Sequence, residues 1–456
     1  MKIITIWTGT MLVLLPCCKK INVKPEFARI KDTTQKTMLT DPVWQRLEAN
    51  KPIIKDAIDT QLEHGIMSND AIRIALQNNP TLQAQFEELG IAKSDLQQAG
   101  FFTNPQLETL FKAPISKNIS ADIEAQINFT LSDFWQVPLR KNIAYDDLEI
   151  ITNGILRDII MLTAQTAHAF QDCVYHLQLS QLTQVILSKV KQLRDRIYYR
   201  YKFGFTSELD KQFANIMVNK WELELNKQDT MLQQAFLNLR RLLGIKISYQ
   251  DIQLIDNNIP PTSLPALEDL HIYALEHRPE MHIAHFRIKR AEDKIAYEKS
   301  RFIKEVNFGI AYERDPDKTK TLGPAFGLSI PIFDTNKAQV ERAQFELHQA
   351  ESQYRAQKQA ILQELYSTYT QLLSASRNMM LYTEQMIPAS QEALAYTSKY
   401  FDSMQLNMVI LINTEIALYE IEKEKLAQYN ELIHLYIDLE KITGKRFTAD
   451  IRQTGS

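Results

Sequence analysis

The feature that most constrains this chain is a helical pattern too long for a globule. Leu179, Leu182, Ile186, Val190, Leu193 and Ile197 recur at a mean spacing near 3.6 residues, and the pattern runs from Pro138 to about Tyr201. A helix of roughly 60 residues is about 90 Å long, so it needs packed partners along its whole length. The stretch "KFGFTS" breaks it at Gly204, and a second long helix returns to Gly244, the predicted C-cap.

The pattern then occurs again. A Pro- and Asn-rich loop, "NNIPPTSLPALEDL", leads to a short helix, another after Pro279, a strand pair, a helix from Pro331 to about Phe401, and a return to Gly444. "RRLLG" and "EKITG" are offset by 200 residues, while Tyr201 and Tyr400, like Phe134 and Phe333, are offset by 199. Such self-similarity marks two copies of one unit. The predicted organisation is a first repeat over 66–250, with a strand hairpin at about 104–133, a linker over 251–265, and a second repeat over 266–445, with a hairpin at about 304–331. Residues 19–65 read as an extended arm and 446–456 as a tail.

In each repeat a strand runs into the long helix near a proline, in "INFTLSDFWQVPLRKN" and "FGLSIPIFDTNKAQVERAQFE". From Ala121 to Ser132 the alternation is unbroken, with Ile123, Ala125, Ile127, Phe129 and Leu131 on one face and Asp122, Glu124, Gln126, Asn128, Thr130 and Ser132 on the other. Gln106–Lys112 is its predicted partner, and Val306, Phe308, Ile310 and Tyr312 repeat the pattern. This length suits a tilted strand of a membrane barrel. A water-soluble antiparallel sheet has the same alternation, so the pattern leaves both open.

The N-terminus, "MKIITIWTGTMLVLLPCCKK", has a thin positive start, an apolar stretch Ile3–Leu15 and two cysteines where cleavage would fall. It reads as a secretory signal over 1–18. "LPCC" also resembles a lipoprotein signal whose cysteine becomes the acylated first residue, with Cys18 favoured over Cys17 because proline next to the cut is a poor context. No other stretch reaches the apolar length of a membrane helix; if the mature chain enters a membrane it does so as strands. Three cysteines form no disulfide framework, and a net charge of −3 without a basic run gives no nucleic-acid signal. No nucleotide loop, nucleophile elbow or HExxH occurs, so the chain reads as a non-enzyme without cofactors.

"DAIRIALQNNPTLQA" (Asp70–Ala84) and "FGLSIPIFDTNKAQVERAQFELHQAESQY" resemble the opening helix and the strand-to-helix passage of TolC-family outer-membrane efflux proteins, and the repeat accounts for most of the chain. The resemblance implies a mainly α protein with a membrane β-barrel. Three protomers would give four strands each to a twelve-stranded barrel continued by an α-helical periplasmic tunnel. It implies a lipid-anchored homotrimer in the outer membrane of a Gram-negative bacterium, a passive exit duct for an inner-membrane pump reached through a periplasmic adaptor. A lipoprotein signal leans toward a resistance-nodulation-division pump. A type I secretion or heavy-metal efflux channel stays open within this class; a periplasmic coiled-coil adaptor or scaffold is the alternative outside it, although one would have a single long hairpin rather than two.

By the same resemblance the tips around Tyr201, Gly204, Tyr400 and Ser403 would dock the adaptor, Ser403 standing where the family prefers Gly. Relatives carry two acids just after the second tip, a ring that selects cations; those positions here are Val409 and Ile412. The alternatives are a hydrophobic constriction or ordinary packing. Asp210 aligns with an acid that ties neighbouring coils, but its basic partner position is Gln405, leaving a hydrogen bond or a solvated carboxylate. "EHRPEMHIAHF" places His282 and His285 on one helix face near His277 and Glu280, an incomplete metal set that reads better as a polar face. Met404 and Met408 near the second tip have a chemistry suited to a soft metal cargo, but read better as space-filling residues. Cys173 reads as a small core residue.

Overall fold

The computed structural model describes residues 21–47, 65–113, 115, 120–246, 253–255, 264–403, 406 and 408–446. Cys17, Cys18, Met404, Gln405 and the tail beyond 446 lie outside the described residues.

Helix α1 (Lys24–Met38) is followed by α2 (Ser68–Asn78) and α3 (Pro80–Ala99), strands β1 (Gln106–Lys112) and β2 (Asp122–Thr130), and the helical hairpin α4 (Asp133–Lys202) and α5 (Glu208–Leu243). The second repeat supplies α6 (Leu267–His277), α7 (Pro279–Ser300), β3 (Val306–Arg314) and β4 (Lys320–Leu328). Its hairpin is α8 (Lys337–Met380), a π-helical turn (Leu381–Met386), α9 (Ile387–Asp402) and α10 (Met408–Thr443).

Pro80 restarts a helix as its first residue, where no donor is needed. The Asn79 side chain caps it by accepting from Thr81 N (2.9 Å) and Leu82 N (3.2 Å), and its Nδ2 donates to Leu242 O (2.9 Å) at the end of α5. Gly244 closes α5 at φ +66°, as predicted, and an added Cβ there would lie 2.7 Å from Asn78 O. The opening helices are thereby clamped to the far end of the first hairpin.

The arm reading of residues 19–65 is corrected in part: Lys24–Met38 is a helix whose Phe27, Ile30, Thr34 and Met38 are buried. Spacing of three and four residues puts these on one face, but the polar Thr34 breaks the apolar stripe, its hydroxyl donating instead to Ile30 O (2.8 Å). Phe27 packs edge-on against Trp44 and Phe86 at centroid distances of 5.6 and 5.2 Å. This trio joins the main core, where α2 and α3 meet the middle of α4, the end of α5, and Ile433 and Ile437 of α10. Smaller clusters continue along the hairpins, such as Ile186, Val190, Val218, Trp221 and Tyr419.

The first long helix also starts earlier than the sequence predicts, at Asp133 rather than after Pro138, and is 70 residues long. Asp133 is buried and accepts from Thr103 N (2.5 Å), while Arg140 Nε donates to Ala99 O (2.8 Å). These contacts pin the first turns to the link between α3 and β1, and Pro138 is accommodated inside the helix. In the second repeat an irregular link at 329–336 separates β4 from α8. There the buried Asn336 donates to Glu298 O (2.7 Å) and Glu298 Oε2 (2.9 Å). The π turn precedes Pro388, which lacks a donor and crowds the preceding turn; a wider turn relieves that clash.

Candidate functional site: an amphipathic sheet on a helical conduit

The four strands form one antiparallel sheet in the order β1-β2-β3-β4. The repeats join at β2–β3, where Ala125 faces Tyr312, Ile127 faces Ile310 and Phe129 faces Phe308. The outer pairs continue the rows, Leu107 with Ile127 and Phe111 with Ile123 on one side, Phe308 with Phe326 and Tyr312 with Leu322 on the other. One face of the whole sheet is therefore apolar, and Leu107, Phe111, Ile127, Phe129, Ile310, Leu322, Phe326 and Leu328 on it are all exposed. The other face carries Glu108, Glu124, Gln126, Asn128, Thr130 and Asn307, with Gln126 Nε2 donating to Asn128 Oδ1 (2.6 Å). An exposed apolar face this continuous resolves what alternation alone leaves open: it belongs against lipid, not water.

At the strand–helix junctions Phe101, Phe102, Phe134, Trp135, Phe302 and Phe333 are exposed. Phe102 and Phe134 meet edge to face at 5.2 Å. Aromatic rings concentrated where an apolar band gives way to a polar body form the girdle of a membrane interface. Among the described residues no helix is long and apolar enough to cross a membrane.

At the opposite end lie the tips. Gly204 (φ +75°) turns the first hairpin, with Phe203 and Phe205 exposed on either side. Asp210 is not merely solvated: its Oδ2 accepts from Ser207 N (2.9 Å) and Ser207 Oγ (2.7 Å), and Ser207 Oγ accepts from Asp210 N (3.2 Å). That reciprocal pair is a capping box, and its hydrogen bonds hold the Asp210 carboxyl below the ordinary carboxylate range. Bonds from Tyr201, Lys211 and Gln212 hold Glu208 down at about 2. The pattern S-x-x-D was visible at 207–210, a signal the sequence reading passed over.

The two tips touch. Arg200 stacks over the Phe401 ring at 4.3 Å, and Leu193, Ile197, Ala214, Phe401, Leu411 and Ile412 form one cluster. Val409 and Ile412 thereby part company: Val409 is 43% exposed, whereas Ile412 is 9% exposed and packed inward. Tyr201 and Tyr400 are exposed, and Ser403 Oγ donates to Tyr400 O (3.0 Å). Midway along, Glu224 and Lys423, equivalent positions of the two repeats, pair at 2.6 Å.

His277 stacks on Tyr273 (4.1 Å, 6° between planes), and Glu280 pairs with Arg278 (3.1 Å). Cys173 is fully buried and its thiol is pushed up to about 12 by burial, which makes it inert.

The chain thus joins a sheet with one exposed apolar face to helices of up to about 100 Å. Residues 273–445 match the outer membrane efflux protein family. The chain is 22% identical over 427 residues to the cobalt-zinc-cadmium resistance protein CzcC of Cupriavidus metallidurans, covering 93% of this chain and 97% of that one. Its fold is similar to the outer-membrane channel OprN (TM-score 0.72, 14% identity, 83% and 89% of the two chains). It is also similar to the outer membrane protein VceC of Vibrio cholerae (TM-score 0.68, 16% identity, 83% and 96%).

Proposed function

We propose that three copies close a twelve-stranded barrel and act as the passive exit duct of a tripartite efflux system. The observation carrying this is the four-stranded sheet: one face is exposed and apolar, and β1 and β4 keep free edges. In lipid those edges must pair, β4 of one protomer with β1 of the next. The helical hairpins extend through the periplasm, and the tips around Tyr201, Gly204, Tyr400 and Ser403 take an adaptor carrying substrate from an inner-membrane pump, most simply of the resistance-nodulation-division type. Acylation of Cys18 adds a lipid anchor. With Val409 and Ile412 in place of acids, the tip selects poorly for charge, and Val409 is the residue placed to line a constriction. A second reading of the cargo, divalent transition-metal cations, is favoured by the likeness to CzcC along nearly the whole chain.

Single-channel recording of the purified protein in planar bilayers, with native mass measurement, tests this. Trimers giving discrete conductances support the duct. A folded, soluble monomer without pores would return the chain to the scaffold reading.

A further inference from the structure

Between them α4 and α10 bring together two copies of one small pattern, His168-x-x-x-Asp172 and His434-x-x-x-Asp438. Each pair lies one helical turn apart on its own helix, and the two pairs meet head to tail. His168 Nε2 lies 3.3 Å from Asp438 Oδ1, and His434 Nε2 lies 3.0 Å from Asp172 Oδ1. The remaining ring nitrogens, Nδ1 of His168 and Nδ1 of His434, face each other at 2.8 Å. The chain separation of 266 residues makes this a product of the fold alone.

Asp438 decides the tautomer of His168: an ionised carboxylate only accepts, so the Nε2 bonded to it carries the ring hydrogen and Nδ1 presents a lone pair. His434 Nδ1 faces that lone pair at 2.8 Å, an N–H···N distance, so a hydrogen lies between the two rings. A carboxylate on one imidazole nitrogen and an open lone pair on the other is also the arrangement that supports a metal-bound histidine.

We infer that His168 and His434 form a clamp for one divalent transition-metal ion of the zinc or cobalt kind, with Asp172 and Asp438 orienting the two rings. The metal takes the place of the hydrogen between the rings, which passes through solvent to His434 Nε2, where it faces Asp172. Two bonds of about 2.0–2.1 Å at a tetrahedral angle need the nitrogens about 3.3 Å apart, an opening of roughly half an ångström from the 2.8 Å observed. His434 Nε2 is close to Asp172 but not aligned with it as a hydrogen bond, so the small ring rotation that opens the clamp has a bond to gain. The side chains are 24% and 26% exposed, which leaves room for water to complete the coordination. Ile433 and Ile437, flanking His434, are locked into the main core with Ala164, Ala167 and Phe170 of α4, so the backbone holding both rings is rigid. The two carboxylates leave net negative charge that a divalent ion offsets. Lys441, 3.1 Å from Asp438, is shared with Glu364 of α8 at 3.3 Å and so neutralises only part of it. The inference concerns the protomer and holds whatever the duct carries.

The test is titration of the full-length, metal-stripped protein in detergent with Co²⁺, read by its visible absorption, and with Zn²⁺, read by calorimetry and melting temperature. The expected result is one site per protomer and a Zn²⁺-dependent rise in melting temperature. His168→Gln and His434→Gln each abolish the site, and Asp172→Asn weakens it about 10–100-fold. His282→Gln and His285→Gln leave it unchanged. A wild type with neither a Co²⁺ band nor a Zn²⁺ shift overturns the inference. So does binding that survives His168→Gln or is lost in the His282 variant instead.

Discussion

Val409 and Ile412 stand three residues apart on one helix, and their surroundings give opposite expectations for the same substitution. Ile412 is 9% exposed among Leu193, Ile197, Phe401 and Leu411. Burying such a side chain is worth about 1.5–3 kcal/mol, and truncating a buried isoleucine costs about 2–5 kcal/mol. Ile412→Asp adds the desolvation of a carboxyl to that loss. A local cost of about 4 kcal/mol raises the open fraction of the tip about a thousandfold, at 1.4 kcal/mol per tenfold. Val409→Asp, on a side chain 43% exposed, costs about 1 kcal/mol or less and places a ring of charge at the tip. Hydrogen exchange of amides in the last turns of α4 and α9 reads the first effect, and reversal potential in planar bilayers the second. Ile412→Asp should lose tip protection; Val409→Asp should keep it and gain cation selectivity. Equal protection in the two variants would refute the assignment of Ile412 to the packed cluster.

Ser207→Ala removes the N-cap of α5 and should cost about 1 kcal/mol, seen as faster exchange of the first amides of α5. Because Asp210 has a lowered folded pKa, its contribution is present above the unfolded value of about 3.9. It is lost as pH falls through the lower folded value; tip exchange should accelerate only in that acid range, and Asp210→Asn should reduce the dependence to the share carried by Glu208. Gly309→Val puts a Cβ 2.3 Å from Asn128 Oδ1 and 2.7 Å from Ile127 O, whereas a Cβ at Gly323 meets nothing within 4 Å. The first should abolish a heat-resistant oligomer on electrophoresis and Gly323→Val should retain it. Cys173, buried with its thiol pushed up to about 12, should resist alkylation at pH 8 in the folded protein and react once it is denatured.

Much of this architecture was legible because each element follows one period over many residues. The strand rows came from Ile123, Ala125, Ile127 and Phe129, and the repeat from the recurring strand-to-helix passage. What stayed hidden was decided by contacts rather than period. Thr34 interrupts the stripe of α1, and the early start of α4 depends on Asp133 reaching Thr103 across the junction. The π turn shifts register without any change in composition. The tips were located by likeness to a family, yet the inward packing of Ile412 needs Phe401 and Leu193 in place around it. The histidine clamp has no local signal.

The strands also carry a length. β2, β3 and β4 are nine residues each, which at about 3.3 Å per residue and a tilt near 40° spans about 23 Å. An average hydrocarbon core is about 30 Å thick, and the outer membrane is thinner than average. In a thicker inner bilayer the sheet would fall short by roughly 7 Å, and each ångström of mismatch costs a fraction of a kcal/mol. Strand length therefore sorts this protein: a chain stalled in the inner membrane would be stretched over too great a depth, and only the thin leaflet pair lets both polar rims reach water.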